Sequence, residues 1–121
     1  MKYLLSQSFV FEAAHSLCRE IDKDTSLRIH GHSYQVTVTL CGETKQESGM
    51  LMDLGRVKHH LEQIRLRLDH HLLDHIEGLG PATLENLCSL VWQHLRHDLA
   101  PIYAIKVARP LTGDACELLI G

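Results

Sequence analysis

The stretch that decides the fold is residues 29–42, which read IHGHSYQVTVTLCG. Large apolar and small polar side chains alternate along it, as they do in a β-strand that buries one face. The residues predicted to share the buried face are His30, His32, Tyr34, Val36, Val38 and Leu40. We therefore predict a long strand that packs on a core and carries two imidazoles at its beginning.

These two histidines, His30 and His32, flank Gly31 and point to the same side of the strand, about 7 Å apart. His15 ends an earlier alternating run, residues 3–14, so it can lie beside them. Three imidazoles with a fourth position left open are typical of catalytic zinc sites. We predict that His15, His30 and His32 bind Zn²⁺. Because the chain has ten histidines, a His-x-His pair can arise by chance. Taken without His15, the pair could equally be solvated imidazoles on a surface strand.

Two amphipathic helices are predicted downstream. Asp53 is a suitable N-cap for the first, whose apolar residues recur with 3–4 spacing as far as Leu68. Thr83 can cap the second, which runs through Leu99 and is stopped by Pro101. The other histidines of these helices fall at mostly polar positions, so we expect them to be solvated.

The remaining segments complete an α+β domain. Residues 16–28 are polar and aperiodic and predict a loop over the metal site, and residues 50–52 predict a short apolar strand. Residues 103–109 and 115–120 predict a β-hairpin. The resulting order, two strands, two helices and two strands, indicates one domain over residues 1–121 with both helices on one face of an antiparallel sheet.

Composition excludes several functional classes. With 45% hydrophobic residues the chain can form an ordinary core, and its net charge of −3 gives no general attraction to nucleic acid or anionic membranes. No apolar run is long enough to span a bilayer. The four cysteines are scattered without a C-x-x-C pair, which favours reduced thiols and a cytoplasmic protein.

A second candidate constellation is Asp69-His70, at the end of the first predicted helix. A carboxylate beside an imidazole can fix its tautomer and raise its basicity, as a general base requires. The alternative is electrostatic: the negative end of the helix dipole favours a cationic histidine there, whatever its role.

These motifs together resemble the 6-pyruvoyltetrahydropterin synthase family, including the bacterial 6-carboxytetrahydropterin synthases of queuosine synthesis. The resemblance covers nearly the whole chain. The segments that carry it are FEAAH (11–15), RIHGHS (28–33), GMLMDL (49–54), LDHH (68–71) and TLENL (83–87).

The resemblance implies the tunnelling fold, a four-stranded antiparallel sheet with two helices on one face, whose protomers join into a barrel and stack as a homohexamer. It implies zinc on His15, His30 and His32, and a reduced pterin substrate, usually 7,8-dihydroneopterin triphosphate. It also implies proton transfer by Asp69 and His70, and substrate contacts near Thr83 and Glu85. The implied reaction releases triphosphate and is that of a lyase.

Two positions depart from the family pattern. Ser26 stands four residues before His30, where the family has a catalytic cysteine, and a hydroxyl is a much poorer base than a thiol. Arg109 stands where the family has a glutamate that anchors the pterin, and arginine cannot accept hydrogen bonds. Glu117 on the neighbouring predicted strand could replace that anchor, and Arg109 would suit a carboxylate or phosphate.

Three functions therefore stay open. The first is a zinc enzyme that acts on 7,8-dihydroneopterin triphosphate or a related reduced pterin. The second is a catalytically altered or silent zinc-binding homologue that holds a different small molecule. The third is a metal-buffering or purely structural oligomer.

Overall fold

The computed structural model describes residues 1–121 throughout. The chain forms a four-stranded antiparallel sheet whose strands lie in chain order, with the two long helices between the second and third strands. The elements are β1 (Tyr3–His15), α1 (Lys23–Leu27), β2 (His30–Gly42), α2 (Leu54–Leu68), a 3-10 turn (Leu73–His75), α3 (Leu84–Leu95), β3 (Ile102–Arg109) and β4 (Asp114–Leu119). This confirms the predicted α+β architecture.

Strands β1 and β2 pair without a bulge along their whole length, from Tyr3 opposite Gly42 to His15 opposite His30. Odd-numbered residues of β1 and even-numbered residues of β2 therefore share the buried face. Phe11 lies opposite Tyr34 and stacks on it, with ring centroids 4.8 Å apart and an interplanar angle of 11°. This aromatic pair lies directly below the histidine end of the sheet.

The two long helices begin as predicted. The Asp53 side chain accepts a hydrogen bond from the Gly55 N–H at 2.8 Å, and Thr83 accepts one from the Asn86 N–H at 3.1 Å. Helix α2 packs on β1, and α3 packs on β3 and β4. The sheet and both helices enclose one cluster of 22 buried apolar residues. No helix combines the length and the apolar character that a membrane crossing needs.

Three predicted boundaries are wrong. Residues 50–52 form no strand: the Met50 carbonyl accepts a hydrogen bond from the Lys45 N–H across a turn, and the apolar Leu51 and Met52 pack against the core. The loop over residues 16–28 contains one helical turn, α1, in which the Ser26 N–H donates to the Asp22 carbonyl. Helix α3 ends at Leu95, although Leu99 beyond it is fully buried.

Candidate metal centre and substrate pocket

His15, His30 and His32 meet at one end of the sheet because of the β1–β2 register. His15 lies opposite His30, and His32 lies opposite Ala13, two residues along the same face. The His15 Nε2 is 3.0 Å from the His30 Nε2 and 3.1 Å from the His32 Nε2. Three imidazole nitrogens thus converge on one point, and these residues could hold a metal ion.

Backbone carbonyls fix the rings of two of these histidines. The Nδ1 of His15 is 3.0 Å from the Ala82 carbonyl oxygen, and the Nδ1 of His30 is 2.7 Å from the Arg28 carbonyl oxygen. A carbonyl oxygen only accepts, so each Nδ1 carries a proton, and in the neutral ring each Nε2 presents a lone pair to the centre. Converging lone pairs repel one another unless a cation or a proton lies between them.

The spacing of these nitrogens suits a metal ion. Bonds of about 2.0–2.1 Å to a tetrahedral Zn²⁺ would hold the ligand nitrogens roughly 3.3 Å apart. The observed separations of 3.0 and 3.1 Å are close to that value. The donor set and its carbonyl partners therefore fit a three-histidine site with an open fourth position.

Burial keeps two of the rings neutral. It lowers the pKa of His15, which is 2% exposed. Burial, and then the positive charge of Arg109, lower the pKa of His32 to about 4. Neutral imidazole is the form that binds a metal, so near pH 7 both rings are ready to do so.

Arg109, at the end of β3, places its guanidinium against the histidine cluster. Its Nη1 is 3.3 Å from the His32 Nε2 and its Nη2 is 2.8 Å from the Asp114 carboxylate across the β3–β4 hairpin. Its Nε is buried and makes no hydrogen bond, and the same is true of the Tyr34 hydroxyl. Burial raises the pKa of Tyr34 to about 12, so the phenol is un-ionised.

Asp69 and His70 form the second constellation in a turn after α2. The His70 Nδ1 lies 2.9 Å from an Asp69 carboxylate oxygen. The carboxylate also accepts from the Glu12 N–H at 2.9 Å and from Arg65 at 3.0 Å. The Glu12 N–H, and then His70, lower the pKa of Asp69. The imidazole beside it is 76% exposed, which leaves it free to meet a ligand.

The backbone attaches this turn to β1. His70 has a left-handed φ of 58°, and its N–H donates to the Glu12 carbonyl at 2.6 Å. The Ala14 N–H donates in return to the His71 carbonyl at 3.1 Å. The Asp69-His70 pair is therefore held against the strand that ends in His15.

Two neighbouring cavities connect the constellations. The first, of about 720 Å³, is lined by His32, His70 and Arg109 together with Glu12 and Ser33. The second, of about 610 Å³, is lined by all three clustered histidines and Arg109. His32 and Arg109 line both cavities, so the metal centre and the Asp69-His70 pair open into adjoining space.

The other predicted site residues differ in placement. Ser26 lines the second cavity, but it is 4% exposed and its hydroxyl donates to the Lys23 carbonyl at 2.9 Å within α1. Thr83 and Glu85 line the same cavity, and the Thr83 hydroxyl also caps α3. Glu117 lies opposite Lys106 on exposed β4 and lines neither cavity.

Sequence reasoning missed Asp74. Its carboxylate accepts hydrogen bonds from the N–H and the hydroxyl of Ser16, the residue after His15. It thereby ties the end of β1 to the 3-10 turn. No spacing rule connects positions 16 and 74; the only signal was one more acidic residue, five positions after Asp69.

Comparison with known proteins agrees with this geometry. The family model for 6-pyruvoyl tetrahydropterin synthase matches residues 4–115. The chain belongs to this family. A 6-carboxy-5,6,7,8-tetrahydropterin synthase from Synechocystis is 30% identical over 119 residues, covering 93% of this chain and 91% of the relative. The human 6-pyruvoyl tetrahydrobiopterin synthase is 29% identical over 119 residues, covering 85% of this chain and 82% of the relative.

Solved structures of the 6-pyruvoyl tetrahydropterin synthase family share the fold. The structure of the Caenorhabditis elegans 6-pyruvoyl tetrahydropterin synthase superposes with a TM-score of 0.83 at 22% identity, covering 100% of this chain and 97% of the other. The tunnelling fold expected from the sequence is therefore confirmed for the single chain.

Proposed function

We propose that this chain is a zinc-dependent lyase of the 6-pyruvoyl/6-carboxytetrahydropterin synthase type. Its substrate would be 7,8-dihydroneopterin triphosphate or a related reduced pterin, and its domain would span residues 1–121. We further propose that it works as a cytoplasmic homohexamer in queuosine synthesis. The supporting observation is the convergence of three imidazole nitrogens beside the cavity that His70 lines, with the His15 Nε2 3.0 and 3.1 Å from the other two and all three within 4.8 Å of one another.

The metal would be held by His15, His30 and His32. When bound, zinc supplies a Lewis acid that polarises an oxygen of the ligand and makes a neighbouring C–H more acidic. The carbonyls of Ala82 and Arg28 would keep the rings of His15 and His30 aimed at it.

The proton would be moved by His70. Its Nδ1–H is held by Asp69, so the lone pair of Nε2 can face a ligand in the larger cavity. The Asp69 carboxylate, kept ionised by the Glu12 N–H and by Arg65, would stabilise the imidazolium that forms when His70 takes a proton. Thr83 and Glu85 would contact the substrate from the start of α3.

The direct experiment incubates zinc-loaded protein with 7,8-dihydroneopterin triphosphate and measures released triphosphate by ion chromatography. We expect turnover in the parent chain and a loss of about 100-fold or more in His70→Ala, since a positioned general base contributes that much. The matched control is His75→Ala, which removes an exposed imidazole outside both cavities. No triphosphate release from the zinc-loaded parent at any pH would refute the activity.

The second candidate is a silent or altered homologue that binds a different small molecule. It is favoured by the Ser26 hydroxyl, which is bound within α1, and by Arg109 in place of a carboxylate anchor. Here Ser26→Cys and Arg109→Glu are made singly and together. Activity that appears only in the double variant supports this candidate, and activity already present in the parent chain contradicts it.

A further inference from the structure

The guanidinium of Arg109 has fewer partners than its burial requires. Its side chain is 17% exposed, and only Nη2 makes an ion pair, with Asp114 at 2.8 Å. Nε has no hydrogen-bond partner. Nη1 has one acceptor from the chain, the lone pair of the His32 Nε2 at 3.3 Å.

That acceptor is the same lone pair that a metal would take. With a metal on His32 Nε2, Nη1 of Arg109 loses its acceptor while its positive charge stays beside a second cation. Asp114 supplies one negative charge, but its side chain is 47% exposed and it engages Nη2. A metal held by these histidines would therefore take that acceptor from Arg109 and place a second positive charge beside it, which the neutral Tyr34 hydroxyl nearby cannot offset.

We propose that the ligand of this site presents an oxyanion group, a carboxylate or a phosphoryl oxygen, that binds the open metal position and accepts a hydrogen bond from Arg109 Nη1. The inference rests on the metal site of the proposed function and adds the chemistry of the ligand. An oxyanion restores the acceptor that Nη1 loses and offsets the excess charge. Because Arg109 lines both cavities, the bound group would lie where they adjoin.

A simpler role for Arg109 is a structural ion pair of the hairpin. Arg109 and Asp114 are backbone partners at the end of the β3–β4 ladder, so a cross-strand pair is expected there. That role accounts for Nη2 alone. It does not explain why the side chain reaches the histidine cluster and places Nη1 on a ligand nitrogen.

The test measures Co²⁺ affinity by chelator competition and the visible absorption of the bound ion. Both are recorded in anion-free buffer, with sodium acetate, with inorganic phosphate and with acetamide, the neutral analogue of acetate. The variants are Arg109→Gln and Arg109→Lys. The matched control is Lys106→Gln, which removes an exposed cation of the same strand.

In the parent chain we expect acetate or phosphate to tighten Co²⁺ binding at least fivefold and to change the spectrum, because binding of the two ligands is reciprocal. Acetamide should do neither. Arg109→Gln should bind Co²⁺ more tightly than the parent without anions and should lose the anion effect. Arg109→Lys should retain part of it, and Lys106→Gln should behave as the parent.

Each outcome decides the inference. A response to acetate alone identifies a carboxylate ligand, and a response to phosphate alone identifies a phosphoryl ligand. Three results would overturn the inference but leave the proposed metal enzyme standing. Co²⁺ could bind without any effect of anions, or acetamide could act as strongly as acetate. Arg109→Gln could also keep the full anion effect while its near-UV circular dichroism spectrum stays native. If the parent chain binds no Co²⁺, both fail together.

Discussion

His15 differs from the other nine histidines in being fully buried. A buried imidazole needs partners for both nitrogens. Its Nδ1 has the Ala82 carbonyl, whereas its Nε2 faces only the other two rings of the cluster. The burial of this one residue is consistent with the proposed metal site, since the three histidines could hold an ion.

We predict that His15→Ala removes stoichiometric zinc. The variant loses one of three nitrogen ligands and leaves the Ala82 carbonyl without its donor. We expect at least a 100-fold drop in zinc affinity, measured by competition with a chromogenic chelator. His75→Ala, which removes an exposed imidazole, should keep the affinity of the parent; an equal loss in both variants would show that the cluster is not the metal site.

We predict that Cys88 resists alkylation in the folded protein. Burial raises the pKa of its thiol to about 12, so the reactive thiolate is much scarcer at pH 8 than for an exposed cysteine. Cys18 is exposed and should react first with iodoacetamide, as peptide mass spectrometry would report. Cys88 should react at a comparable rate only after unfolding in guanidinium chloride. Rapid native labelling of Cys88 would contradict the packing of α3 on β3 and β4.

At the scale of elements, residues at the start of α3 contribute both to the stability of the helix and to the geometry of the candidate metal centre. Thr83 caps the helix, and the preceding residue, Ala82, provides the carbonyl that orients His15. The short segment before α3 therefore both caps the helix and orients the imidazole ring of His15. The sequence predicts that Thr83 caps the helix. No local sequence pattern predicts that the Ala82 carbonyl contacts His15, which lies 67 positions away.

We predict that Thr83→Ala lowers the free energy of unfolding by about 1 kcal/mol, the usual cost of a lost N-cap. It should also weaken zinc binding severalfold because the Ala82 carbonyl becomes less fixed. Thr83→Ser keeps the capping hydroxyl and should restore both quantities, measured by urea unfolding and chelator competition. Loss of zinc affinity without any loss of stability would contradict this coupling.

The elements that the sequence predicts well are those with a strong periodicity. Alternation over β1 and β2 and the 3–4 stripes of α2 and α3 each follow from burial on one face. Residues 50–52 are wrongly predicted as a strand because an apolar loop that packs on the core has the same sequence pattern as a short buried strand. The turn α1 is missed because its polar residues have no apolar stripe.

The candidate site divides in the same way. The histidine trio could be predicted because strand parity places all three rings on one face. The sequence does not predict three other features of the site: the partners of Arg109, the hydrogen bond of Ser26 within α1 and the role of Asp74. Those contacts depend on where turns dock in three dimensions, and the sequence carries no periodic signal for them.

At the scale of the whole molecule, the sheet has two open edges: the outer side of β4, and the outer side of β1 before Glu12, beyond which residues 70–72 pair with that strand. Large apolar side chains on these strands remain exposed, including Leu4 at 62%, Val10 at 66% and Leu119 at 65%. Unpaired edges with apolar residues favour association with further strands. This supports the proposed edge-to-edge barrel.

We predict that the purified protein sediments at six times its chain mass of 13.7 kDa. Closed rings of paired sheets would remove both edges, and a closed barrel would enclose the sheet face opposite the helices, on which Leu4, Val10 and Leu119 lie. Sedimentation velocity over a hundredfold range of concentration measures this. A species at 13.7 kDa throughout that range would refute the assembly.

The uninterrupted pairing of β1 with β2 has a consequence for insertions and deletions. Successive side chains of a strand alternate between its two faces, so an odd change in length between Phe11 and His15 would leave only one of these two residues on the buried face. An even change would keep the parity and only displace the ladder. Metal binding and core packing thus both require the same parity in the number of residues along β1. Natural insertions and deletions near β1 and β2 should therefore be confined to the loops at the ends of these strands.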